Sequence, residues 1–157
     1  MPAAALGGDL IYRHQPEVAA NRILANGELA PLPASATGIK VYTWSSPFSG
    51  EEFLRFQAAQ EDIELFLKTS PILKDKECQI YSKDRMRLPR SIDSFGYFDE
   101  ADPNKYFTPS PSAPDWYIEE LRGAGRQYDF KPRRYHYPGE LIIDDEKYLI
   151  FIRLCFS

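Results

Sequence analysis

Residues 139–156, GELIIDDEKYLIFIRLCF, restrict the fold more than any other stretch of the chain. GELII and YLIFIRLCF read as strands separated by DDEK, a spacing that predicts a hairpin. A strand with one face in water alternates apolar and polar residues, but the second arm is apolar at nearly every position. It must be covered on both faces, in the middle of a sheet.

The other elements are read around that hairpin. IKVYTWS (39–45) alternates as a strand does, SPFSG is a turn, and EFLRFQA (52–58) directs Leu54, Phe56 and Ala58 to one side. AAQEDIELFLKTSP then places Ala59, Ile63, Phe66 and Leu67 at helical spacing. Acids fill its first turn, Lys68 lies near its end and Pro71 closes it. PEVAANRILA (16–25) has Ala19, Ala20, Ile23 and Leu24 on one face, with Pro16 in the first turn and Asn26-Gly27 as a stop. APLPASATG follows as a stiff linker. ECQIYS (77–82) and RQYDFK (126–131) read as further strands.

SAPDWYIEEL, from residue 112, carries Ser112 and Asp115 at capping-box spacing and Pro114 in a first turn, which predicts a helix over 113–122. Trp116 and Tyr117 enter that helix early, and Trp116 reads first as a packing residue and second as a ligand contact. Residues 83–111 have no sustained period, yet Leu88, Ile92, Phe95 and Phe107 give them apolar anchors, as in a long, partly packed loop. The Ala-rich start, 1–15, reads as disordered. The whole is a single-domain α+β protein: an antiparallel sheet of about five or six strands, a packed amphipathic helix and two short peripheral helices.

A chain of 157 residues suits one core. A net charge of −4, with Arg85, Arg87, Arg90, Arg133 and Arg134 all accompanied by acids, argues against a nucleic-acid binder. No apolar run approaches the ~20 residues of a transmembrane helix. The start has neither a basic n-region nor a usable h-region, so the chain reads as cytoplasmic as written, or as exported or periplasmic if a leader was removed. Cys78 and Cys155 lack metal-ligand spacing. They are either two free thiols or one disulfide, and the spacing leaves both open.

Chemistry-bearing motifs are few. There is no GxSxG, GxxxxGK[ST] or GxGxxG, so no catalytic residue is assigned and no cofactor is implied. Asp144, Asp145 and Glu146 form the one weak metal-ligand candidate, and acids in a hairpin turn more often shape the turn. The most suggestive stretch is KPRRYHYPGE, which puts Arg133, Arg134, Tyr135, His136 and Tyr137 in a segment before the final hairpin. Arg and Tyr combine broad contact with hydrogen bonding, as interfaces require. With Trp116 and the 83–111 loop, this segment marks a non-enzymatic module that binds a protein or a small polar ligand. The alternatives are a small hydrolase using His136 and carboxylates, and a structural envelope protein.

LPASATGIKVYTWSSPFSGEEFLRFQAAQEDIELFLKTSP, PDWY, GRQYDF and GELIIDDEKYLIFI together resemble a group of small bacterial proteins of unknown function. Their pattern is LP-x-x-A, an LRF strand, an ED-I-x-x-F-L helix and a Gly-Glu-hydrophobic-Asp hairpin, often behind an exported or lipoprotein leader. The resemblance spans residues 31–154 and implies one compact α+β domain. It brings no activity and no catalytic residues.

Overall fold

The computed structural model describes residues 15–81, 113–117 and 123–157. The doubly covered strand, β6 (Leu149–Phe156), runs between β2 (Gly50–Gln57) and β5 (Gly139–Asp144), antiparallel to both. Residues 150–155 of β6 are all buried. Outward from this centre lie β1 (Thr37–Ser45) beyond β2, then β4 (Gly125–Phe130) and β3 (Gln79–Tyr81) beyond β5. The six strands form one antiparallel sheet, ordered β1-β2-β6-β5-β4-β3.

The two phases of the central strands face different surroundings. Leu54 and Phe56 of β2, Ile150, Ile152 and Leu154 of β6, and Leu141 and Ile143 of β5 share one face and are fully buried. Helices α1 (Pro16–Asn26) and α2 (Gln60–Thr69) contribute Ala20, Ile23, Leu24, Ile63, Phe66 and Leu67 to the same cluster. Phe56 and Phe66 meet edge to face, with ring centroids 5.7 Å apart. On the opposite face Phe53, Ile142 and Phe151 pack under Tyr117, with Trp44, Ala113 and Trp116 beside them. The fold is therefore α+β: among the described residues, a six-stranded antiparallel sheet with two helices.

Local details depart from the sequence reading in three places. First, the turn that ends α1 takes its left-handed residue at Glu28 (φ 56), not at Gly27. Leu29 N–H then reaches Leu24 O at 2.9 Å, the long bond of a helix stop. Gly27 sits close against the core instead: a Cβ there would lie 3.3 Å from Leu154 Cδ1, so that side chain would have to shift. Second, Ala59 is no part of the apolar stripe of α2. It is the exposed N-cap residue, and its N–H donates to Ser35 Oγ, which in turn binds Asp62. Third, residues 113–117 form a turn, with Tyr117 N–H bonded to Pro114 O at 2.9 Å; the rest of the expected 113–122 helix, 118–122, lies outside the described residues. So do residues 1–14 of the expected disordered start, 1–15, and the expected loop, 83–111.

The linker after α1 is pinned to the body. Ser70, fully buried after α2, donates to Phe66 O at 2.7 Å and accepts from Ala30 N–H at 2.9 Å. A hydroxyl that both donates and accepts in the core leaves neither group unpaired.

Truncating a side chain of the helix-covered face removes both transfer energy and contacts that neighbours cannot remake. Phe56→Ala should cost about 3–5 kcal/mol in chemical denaturation. Leu65→Ala, at a side chain of α2 that is 58% exposed, should stay within about 0.5 kcal/mol of the parent.

Candidate functional site

The segment 131–138 leaves β4 and returns to β5 as an irregular turn laid against the end of α1 and the start of β2. Its backbone is fixed at two points: Arg133 N–H donates to Glu28 Oε2 at 2.7 Å, and Tyr135 N–H to Pro132 O at 3.2 Å. Tyr135 anchors it further. Its hydroxyl donates to Glu52 Oε2 at 3.1 Å, and its ring lies 5.7 Å from that of Phe156. Partial burial and the Glu52 carboxylate push the Tyr135 phenol up to about 12, against the opposing pull of Arg134 and Arg22. Two arginines thus act on one tyrosine, one from this segment and one from α1.

Around this anchor the other predicted site residues differ in what they hold. Arg133 is almost wholly exposed, its side chain 93% so, with Nε 3.7 Å from Glu28 Oε1. Arg134 is exposed and donates from Nη1 to Asn26 Oδ1 at 3.0 Å. His136 is exposed and Tyr137 half-buried. Among the described residues no hydrogen bond joins His136 to a carboxylate.

Trp116 does not join this group. It sits half-buried against the cluster on the far face of the sheet. Nor do the three acids of the final hairpin gather around a common point. Asp144 is buried, and its Oδ1 accepts from Glu146 N–H and Lys147 N–H, both at 3.0 Å, which shapes the turn. Asp145 pairs with Arg126, which also reaches Glu64 of α2 at 2.6 Å. Among the described residues no three His, Cys, Asp or Glu side chains are grouped as a metal would require. Cys78 and Cys155 are free thiols, the first half-buried and the second buried.

A second constellation was not anticipated from the sequence. On the face opposite the helices, Arg153 of β6 donates from Nε to Glu51 Oε2 of β2 at 2.6 Å, and both side chains are buried. Trp44 Nε1–H donates to the other Glu51 oxygen at 3.3 Å, and Cys155 Sγ lies 3.9 Å from Oε2. Arg153 is also directly opposite Glu140 across the β5–β6 pair, and Glu140 Oε1 accepts from the Tyr117 hydroxyl at 2.6 Å. The ring of Tyr117 stands on edge against Phe53 at 5.0 Å and Phe151 at 6.0 Å.

Electrostatics follow from this burial. Desolvation, then the Glu140 carboxylate, hold the Tyr117 phenol well above its ordinary range. Burial raises the Cys155 thiol to about 11 despite Arg153, so its reactive thiolate is suppressed. The arrangement links β1, β2, β5 and β6 to residues 113–117 through charge-assisted bonds. One signal for it was present in the sequence: Arg153 is the single charge within a strand read as covered on both faces, and such a charge needs a partner.

Two consequences can be measured. Tyr117→Phe leaves the shape of the ring but removes the donor to Glu140, and should cost about 1–3 kcal/mol of stability. Asp129, on β4 opposite Glu140, has its carboxyl raised by burial, against a hydrogen bond from Gln127. The folded chain then holds that proton more tightly than the unfolded chain. Stability is therefore lost as pH rises from the ordinary value of 3.8 through the raised one. Asp129→Asn should melt above the parent at neutral pH, with the gap closing in acid.

Comparison with known protein families, with curated proteins and with solved structures returned no match.

Proposed function

We propose that the protein is a non-enzymatic binding module whose recognition surface is the 131–138 segment, facing acidic or polar groups of a partner protein. A small polar ligand would use the same chemistry. The carrying observation is the contrast within Arg133: its N–H is tied to Glu28 while its side chain is 93% exposed. Backbone order is already in place before a partner arrives, so binding meets less of the usual ordering cost. Arg133, Arg134 and the half-buried Tyr137 supply the mix of charge and aromatic contact on which interfaces depend. The 83–111 loop lies outside the described residues, and the proposal does not use it.

The alternative hydrolase needs His136 within hydrogen-bonding reach of an acid. His136 is exposed and has no such bond among the described residues, which favours the binding reading. A structural envelope subunit would carry a broad apolar patch. Among the described residues, the exposed large apolar side chains, Val18, Tyr42, Phe48, Leu65, Ile80 and Tyr148, come from six separate elements and turns.

Affinity capture from the native host tests the proposal, with the parent chain beside an Arg133→Ala, Arg134→Ala double variant. Exposed ion pairs contribute about 0–1 kcal/mol, so the variant should melt within a few degrees of the parent. It should nonetheless lose the partner, and added salt should weaken the parent's capture in the same direction. A partner retained equally by both chains would sink the proposal.

A further inference from the structure

The two edges of the sheet are unlike. At one, β3 is three residues long, a length that offers little to an incoming strand. At the other, β1 spans nine residues and, among the described residues, pairs only with β2. Among the described residues, no backbone hydrogen bond reaches β1 from outside β2. Its outer row of N–H and C=O groups has no partner among them, and Lys40, Tyr42, Thr43 and Ser45 are exposed. The ladder is regular from Lys40 to Ser45. A bulge between Thr37 and Lys40, with Gly38 at φ 59, ends it on the other side.

We infer that this edge pairs, antiparallel, with the same edge of a second copy of the chain, about a two-fold axis at Tyr42. The argument is one of self-complementarity. A two-fold axis normal to the sheet keeps each residue on its own face, so the axis must place some residue opposite its own copy. The stretch 39–45 has Tyr42 at its midpoint. That register sets Tyr42 against Tyr42 and Val41 against Thr43, an aromatic pair and a β-branched pair of the kind that stabilises sheets. It also sets Lys40, the one charge in β1, against Trp44 on the same face rather than against a second Lys40. Tyr42 is already steadied for this by Phe53, whose ring is 6.2 Å from its own. Two six-stranded sheets would then continue as one, and both open edges would vanish together.

Sedimentation across a concentration series tests the pairing, and a cysteine scan tests its register. The parent should show a reversible monomer–dimer equilibrium. Tyr42→Asp puts two carboxylates opposite each other and should raise the dissociation constant about tenfold or more at an unchanged melting temperature. In a Cys78→Ser background, Tyr42→Cys should form a disulfide between copies readily, because only there does a residue face itself at bridging distance. Val41→Cys and Thr43→Cys should lag far behind. A parent that stays monomeric at every concentration up to its solubility would overturn the inference. So would a dimer indifferent to Tyr42→Asp, or a Tyr42→Cys chain that cross-links to other proteins and never to itself.

Discussion

The buried guanidinium of Arg153 sets the terms for half of this molecule. β6 is covered on both faces, so a charge within it has no water to turn to and must be neutralised where it lies. Glu51 does so from β2, and Glu140 stands opposite from β5. Each carboxylate then needs its own donors, which brings in the Trp44 indole from β1 and the Tyr117 hydroxyl from the 113–117 turn. One buried cation thus fixes side chains on four strands and one turn. Such a network is no proof of stability, because well-packed apolar residues often serve as well. What it adds is specificity: a one-residue slip of β6 would drive Arg153 into the apolar, helix-covered face.

The helix-covered face works by a different rule. There the contacts are apolar and non-directional, and polar groups occur where the chain has to be fastened. Ser70 joins α2 to the linker, and Ser35 joins that linker to Asp62. Glu28 and Glu52 hold the 131–138 segment down at Arg133 and Tyr135. The carboxylates most involved in shaping the proposed binding surface are therefore structural, and the outward groups are cationic and aromatic. That division explains how a chain of net charge −4 can offer a basic surface locally.

Much of the fold was legible because it depends on short-range pattern. Unbroken apolarity put β6 at the centre, and helical spacing found Ile63, Phe66 and Leu67. Alternation in 52–58 correctly selected Leu54, Phe56 and Ala58, but it hid Phe53 and Glu51, since a strand covered on both faces buries the intervening residues too. The polar cluster was illegible for a related reason. Arg153 advertises that a partner exists, but Glu51 is 102 residues away, and no local spacing can identify it. Over 113–117 the described residues form a turn, and this sets the Tyr117 ring onto Phe53 and Phe151. In the 131–138 segment the sequence grouped Tyr135 with Arg133, and only the fold separates them: Tyr135 is held against Glu52 and Phe156, whereas the Arg133 side chain is exposed.

The surface of β1 follows from the same separation of roles. Its exposed Tyr42 and Thr43 contribute little to the helix-side core, and the aromatic ring of Trp44 is held by a residue whose main duty is to Arg153. An edge strand of nine residues with one lysine is lightly protected by the usual standards, which favour short strands, several charges or proline. The bulge near Gly38 protects only one end. Symmetric pairing resolves the problem where protection does not, because an edge that is closed by its own copy offers nothing further to aggregate. The position of Lys40 is what makes this closure selective: the two-fold register at Tyr42 sets it against an aromatic ring, whereas a two-fold register centred on Lys40 itself would set two ammonium groups against each other.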